Sequence, residues 1–140
     1  MEFEKMLNTI SIVGGIVGGF LCKWLGGWDG ILTALVALVV LDYITGVLKG
    51  ISTKTLSSAI GFKGLIKKIF IFIVVATAVI IQDVIGGTIP LREITIFFFI
   101  CNEGISLLEN ASEFIPLPAK LKETLIQLRG KTEKGEISKK

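Results

Sequence analysis

"ILTALVALVVLDYITGVL" (residues 31–48) contains eleven Ile, Leu or Val residues among its eighteen. A helix that crosses a bilayer needs about 20 mostly apolar residues. On insertion scales these eleven contribute roughly −5 kcal/mol, whereas the one charged residue, Asp42, opposes insertion by about 3 kcal/mol. The balance predicts a membrane-spanning helix, and it raises the question of what an aspartate does inside one.

The composition of the whole chain also fits a membrane protein. The chain has 140 residues and a net charge of +3, and it is 51% apolar before its sixteen glycines are counted. Soluble domains reach about 45–50% with glycine included. Histidine is absent from the sequence, which removes the usual general base and metal ligand. Cys22 and Cys101 stand alone in apolar runs, so we interpret them as packing residues. The acidic start "MEFEKM" is not typical of a signal peptide.

Three further segments are apolar enough to consider as membrane helices. Residues 69–86 predict a second span, because a lone strand cannot satisfy its backbone hydrogen bonds in lipid. Residues 91–110 predict an amphipathic helix that is apolar in its first half and polar in its second. Residues 9–28 contain an uninterrupted apolar stretch of only thirteen residues, a length that also fits an interfacial helix. The sequence therefore predicts an all-α integral membrane protein with three or four hydrophobic helices.

Glycines in two of these segments are candidates for helix packing. Gly14 with Gly18, and Gly15 with Gly19, form two overlapping GxxxG pairs, a pattern that lets two helix backbones approach closely. Gly46, in the segment 31–48, is a further small residue at which helices can meet. The alternative for the first segment is a flexible amphipathic stretch that lies on the membrane surface.

Polar residues inside the predicted helices are the candidate functional residues, because an ionisable side chain in a span usually faces the bundle interior or water. The candidate pore or bundle-interior residues are Asp42, Asn102, Glu103, Ser106, Glu109 and Asn110. We expect Asp42 to pair with a lysine or to line a water-filled lumen, and the alternative is a snorkelling residue near the interface. The alternative for the polar residues of 91–110 is that this half of the helix lies among the hydrated lipid headgroups.

The placement of charge predicts the topology. The sequence has no acidic residue between Asp42 and Asp83, a gap that contains Lys49, Lys54, Lys63, Lys67 and Lys68. By the positive-inside rule the loop 49–68 should be cytoplasmic, where its lysines would also contact anionic lipid. Residues 1–110 would form the membrane domain. Residues 111–140 would form a cytoplasmic region with an amphipathic helix over 116–129 and a flexible basic tail.

Three stretches in this order resemble one known family: "LDYITGVLKG" (41–50), "LSSAIGFKGLIKKIFIF" (56–72) and "ICNEGISLLENASEFIPLPAKLKETL" (100–125). Over about residues 38–129 the chain is similar to the phage-lysis holins that include the clostridial toxin-secretion holins. The resemblance implies a homo-oligomer in the cytoplasmic membrane of the bacterial host cell. Such an oligomer would open a lesion that lets a cell-wall hydrolase, or a toxin, reach the outside, and it would not need to contact the hydrolase. It also implies no catalytic residue, no cofactor and no nucleic-acid partner.

Two other functions remain open from the sequence alone. One is a small ion- or proton-coupled transporter with Asp42 or Glu103 as the binding carboxylate, although the internal repeats common in transporters are not evident. The other is an antiholin or scaffold subunit that never opens. Met1 and Met6 would also allow two translation starts, but the extension between them adds two glutamates to its one lysine.

Overall fold

The chain folds into five α-helices, as seen in a computed structural model that describes residues 1–134. The helices are α1 (Glu2–Trp24), α2 (Gly30–Ser52), α3 (Ser58–Val84), α4 (Leu91–Ala111) and α5 (Ala119–Glu133). No strand occurs among the described residues, and the prediction of an all-α protein is confirmed. Of the predicted flexible tail, residues 130–133 belong to α5, and residues 135–140 lie outside the part of the chain that the structure describes.

Side-chain caps explain where two of the helices begin. The Asp29 carboxylate accepts a hydrogen bond from the Leu32 N–H at 3.0 Å, which starts α2. The Ser57 hydroxyl accepts one from the Ile60 N–H at 3.2 Å, which starts α3. α3 therefore begins well before the apolar run at residue 69. The lysine-rich loop expected over 49–68 is mostly helical, and the connection is confined to residues 53–57.

Three helices are long and apolar enough to cross a membrane, namely α1, α2 and α3. α1 includes the segment whose length left its role open in the sequence, and the question of whether it spans stays a prediction. α4, predicted as an amphipathic membrane helix, is not among the three. It carries Arg92, Glu93, Glu103 and Glu109, which fits the amphipathic character predicted for it.

The core lies between α2, α3 and α4, and α4 also contacts α5. Its buried side chains are Leu32, Leu35 and Val39 of α2, Ile71 and Val75 of α3, and Ile96 of α4. The α2 residues follow the spacing of one helix face. The helical bundle thus buries a narrow apolar stripe from each of three helices.

α1 lies outside this core. No α1 residue is buried, and no atom of the described chain lies within 4 Å of a Cβ built on Gly14, Gly15, Gly18 or Gly19. The glycine face is therefore open in a single chain, and its role in helix packing stays a prediction about contacts between chains.

Candidate functional site: a buried ionic cluster

Each of the three core helices contributes one ionisable side chain to the same place. Asp42 follows Leu35 and Val39 along the buried stripe of α2, and Glu103 follows Ile96 by seven residues along α4. Lys68 precedes Ile71 by one helical turn on α3. Because these positions continue the core-facing stripes, the helices that build the core also bring Asp42, Lys68 and Glu103 together.

The three side chains form an ionic cluster. The Lys68 ammonium donates hydrogen bonds to Asp42 Oδ2 and to Glu103 Oε2. The exposed side-chain fractions are 6% for Asp42, 8% for Glu103 and 15% for Lys68. In the single chain Asp42 is paired with Lys68, and whether it also lines a water-filled lumen in an oligomer stays a prediction.

Asn110 completes the coordination of Asp42. Its amide Nδ2 donates to Asp42 Oδ1 at 3.0 Å and also lies 3.2 Å from Thr45 Oγ1. A Cβ on Gly46 would lie 3.5 Å from the same nitrogen, an ordinary contact distance. The small residue at position 46 therefore sits directly against the amide that orients Asp42.

The cluster carries more acid than base. Two carboxylates share one ammonium, so the formal charge of the ionised cluster is −1. A buried charge is tolerated only where it is paired and hydrogen-bonded. Lys68 is the counterion of both carboxylates, and it is therefore the residue on which the arrangement depends.

A cavity of about 430 Å³ opens beside the cluster, between α2, α3 and α4. Its lining includes Asp42, Lys68, Asn110, Ser106, Lys67 and Tyr43. The Tyr43 hydroxyl donates to the Gly61 carbonyl at 3.3 Å, which ties α2 to α3 at this level. A cavity of this size with several polar partners has room for water. The cluster can therefore be hydrated without unpacking the apolar core.

The six polar residues singled out in the sequence divide between two places. Asp42, Glu103, Ser106 and Asn110 lie in the cluster or line its cavity. Asn102 and Glu109 instead contact α5. The polar half of α4 is thus covered by protein on two sides of the helix.

The lysines also separate into two groups. Lys68 lies inside the bundle, so it departs from the lipid-contacting role expected for it. Its neighbour Lys67 is exposed at the cavity rim, since one residue further along a helix turns a side chain by about 100°. Lys54 and Lys63 are exposed and Lys49 is partly exposed, as a role in topology or lipid contact would require.

Arg92, at the start of α4, is a second buried charge, and its contacts were not foreseen. Its guanidinium donates to the carbonyls of Leu25 at 2.6 Å and Gly27 at 2.8 Å, and to the Asp29 carboxylate at 2.7 Å. Gly26 has φ +81°, and a Cβ there would lie 2.5 Å from Arg92 Nε. The turn between α1 and α2 is therefore wrapped around this arginine.

The available signal for Arg92 was its position. An arginine that follows a short turn at the end away from the lysine-rich segment runs against the usual bias of positive charge. Its hydrogen bonds to Asp29 hold the pKa of that carboxyl below its usual value. Arg92 thus fixes the end of the bundle opposite the lysine-rich connection.

Comparisons with known proteins identify the family of the chain. The bacteriophage holin family matches residues 19–130, which include the ionic cluster and nearly all of α5. An uncharacterized 14.9 kDa protein of Clostridium perfringens is 42% identical over 132 residues, covering 91% of this chain and 98% of the relative.

Two further relatives extend the comparison. An uncharacterized protein of Listeria innocua is 42% identical, covering 89% of this chain and 85% of its own length. A protein of Bacillus phage phi105, described as a probable holin, is 32% identical over 75% of this chain and 82% of its own length. No solved structure matches the chain. The length of the family match and the identity to these relatives establish that this membrane protein belongs to the bacteriophage holin family.

Proposed function

We propose that the chain is a holin. It accumulates in the bacterial cytoplasmic membrane, forms homo-oligomers, and opens a lesion through which a cell-wall hydrolase or a secreted toxin reaches the outside. The observation that carries the proposal is that Asp42 and Glu103 share the Lys68 ammonium in a buried cluster inside a single chain. A chain that hides its membrane charges in this way can accumulate without opening the bilayer.

The size of the chain requires that a lesion be built from many copies. Helices are about 10–12 Å across with their side chains, and the space between α2, α3 and α4 holds the apolar core, the ionic cluster and a cavity of only about 430 Å³. One bundle therefore has no route for a folded enzyme. α1 offers an apolar surface with the Gly14/Gly18 and Gly15/Gly19 pairs, which suits close packing between copies.

The wall of the lesion would come from the polar half of α4. Its first candidate water-facing residues are Asn102 and Glu109, which contact α5. The other candidates from the sequence, Ser106, Asn110 and Glu103, stay around the cavity and the cluster of the packed bundle. Exposing these groups to lipid would be costly, whereas an oligomer can turn them toward water. The lysine-rich segment 49–68 and the region after residue 111 both lie on the cytoplasmic side in this proposal, because their lysines resist translocation.

Inducing the gene alone and following the membrane potential tests the proposal. A holin should collapse the potential suddenly after a lag, release a cytoplasmic reporter protein, and give cross-linked ladders in membranes. Gradual flux that depends on pH would indicate an ion-coupled transporter, and an unchanged potential would indicate an antiholin or scaffold. A chain that stays monomeric at levels where cells lyse would refute the oligomeric lesion.

A further inference from the structure

α5 packs antiparallel along α4 through a single face. Four α5 residues, spaced by three, four and three positions, make this face: Lys122, Leu125, Arg129 and Thr132. Lys122 pairs with Glu109 at 3.0 Å, and Arg129 donates to Asn102 Oδ1 at 3.1 Å. Successive turns of α5 therefore meet successively earlier turns of α4.

Apart from Leu125, the contacts on this face are polar on both helices. Leu121 and Leu128 are 46% and 39% exposed, so much of the leucine surface of α5 points away from α4. An amphipathic helix that merely lay on the membrane would bury its leucines and expose its charges. Here a lysine and an arginine contact the polar groups of α4 instead. The contact thus matches the residues that α4 has to hide from lipid.

The fit between the two helices is close at two points. A Cβ on Gly104 would lie 3.1 Å from Leu125 Cδ1, so glycine lets the α5 side chain seat against the α4 backbone. Near the end of α5, Thr132 is fully buried and donates to the Leu128 carbonyl at 2.9 Å. α5 therefore fits closely against a contoured surface of the bundle rather than a flat one.

The same contact is suited to release. Lys122 and Glu109 are each about half exposed, and ion pairs of that kind are weak. α5 has fifteen residues, a length at which an isolated helix is marginal. The connection before it contains Pro116 and Pro118, so α5 is joined to α4 without a continuous helix.

We propose that α5 is an autoinhibitory cover over the polar face of α4. Docked, it holds the Asn102 side chain through Arg129 and pairs the Glu109 carboxylate with Lys122 while the chain accumulates. Undocked, it frees them to line the lesion. This inference rests on the proposed holin function and adds a step that precedes opening.

Charge reversal at the α4–α5 contact tests the cover. Lys122→Glu places two carboxylates together, and the lost pair should shift the docking equilibrium by about fivefold toward release. The potential should then collapse earlier after induction, at equal membrane abundance. Lys120→Glu makes the same charge change on an exposed position of α5 and should leave the time unchanged. The swap Glu109→Lys with Lys122→Glu restores the pair and should restore the delay.

A second pair of variants removes the apolar contact. Leu125→Asp, which disrupts the seat against Gly104, should also hasten collapse relative to Leu128→Asp on the exposed side. The cover is refuted if Lys122→Glu and Leu125→Asp act no earlier than their controls, if they delay or abolish collapse, or if the swap fails to restore the delay.

Cross-linking tests docking without any requirement for lysis. In a chain with Cys22 and Cys101 replaced by alanine, cysteines at Thr95 and Glu133, which line one cavity beside the α4–α5 contact and leave both polar pairs intact, should be joined by a short bis-maleimide in membranes taken before collapse. The yield should fall after collapse. Absence of the cross-link at the early time, or an unchanged yield after collapse, would overturn the cover. Efficient early cross-linking in a chain that never collapses the potential would instead refute the proposed holin function.

Discussion

Replacing Lys68 by methionine removes the one cation that two buried carboxylates share. Methionine keeps most of the volume of the lysine stem, so the change acts on charge more than on packing. Breaking a buried ion pair by removing one partner costs about 3–5 kcal/mol, because the other charge is left buried without compensation. Asp42 keeps its hydrogen bond from Asn110 at 3.0 Å. Glu103 keeps no such bond in the cluster and would become protonated or draw in water.

The loss should be measurable as thermal unfolding of the full chain in detergent, followed by helical circular dichroism. A cost of this size corresponds to a fall in Tm of roughly 10–20 °C for a chain of this length. Lys67→Met is the matched control, since Lys67 is exposed one residue away, and it should shift Tm by much less. Because well-packed apolar residues can replace a buried ion pair with little or no loss, Asp42→Leu and Glu103→Leu added to Lys68→Met should recover most of the stability. A Lys68→Met chain as stable as the Lys67→Met control would refute the idea that Lys68 is the counterion.

Other predictions address function, assembly, topology and pH. Asp42→Asn keeps a hydrogen-bonding side chain but removes one charge from the cluster, so the time from induction to lysis should shift. An unchanged time would indicate that the Asp42 charge has no role in lysis. Gly18→Leu should weaken cross-linked ladders in membranes, because leucine holds helix backbones apart. Ladders as strong as those of the unsubstituted chain would show that the glycine face does not pack between copies. A cysteine at Ser57, in a chain without the native cysteines, should react with an impermeant thiol reagent only after cells are opened, and labelling in intact spheroplasts would reverse the topology. Arg92 lowers the pKa of Asp29 from 3.8, so the stabilising contribution of this pair is complete above that pH and is lost as the pH falls through the lower folded-state pKa. Asp29→Asn should therefore flatten the acid side of the stability curve in detergent, and equal slopes for the two proteins would contradict the pairing.

The apolar runs predicted the helices of the core well, but they misplaced where α3 begins. Lys63, Lys67 and Lys68 interrupt the hydropathy, so the segment was drawn from residue 69. The signal for the earlier start was the Ser57 cap, which begins α3 in a polar environment where hydropathy carries no information. A helix can extend beyond the apolar run that defines its membrane span.

That boundary also explains why the partner of Asp42 could not be chosen from five lysines. If the segment 49–68 were a loop, any of its five lysines could reach Asp42. Once α3 is helical from Ser58, Lys68 shares a face with Ile71 and Val75, and that face points into the core. The helical register therefore selects Lys68 and turns Lys67 outward.

The contacts of Arg92 were beyond the reach of the sequence for a different reason. Two of its acceptors are the backbone carbonyls of Leu25 and Gly27. Every residue has such a carbonyl, so the residue types in the sequence do not show which ones accept. Only the turn that positions them, with its glycine at φ +81°, makes the site.

The two polar contacts of α4 differ in strength. Under the proposed function, this difference predicts the order in which they separate when the lesion opens. The cluster of Asp42, Lys68 and Glu103 is buried, so separating it would leave unpaired charges in the core. The pair between Glu109 and Lys122 is half exposed, so separating it costs little. Local opening in proteins starts from such weakly held elements. Copies can therefore release α5 and associate through α1, the two helices outside the core, while α2, α3 and α4 stay packed. A lesion built in this way would need no unfolding of the bundle, and the counterion Lys68 would remain in place in the open state.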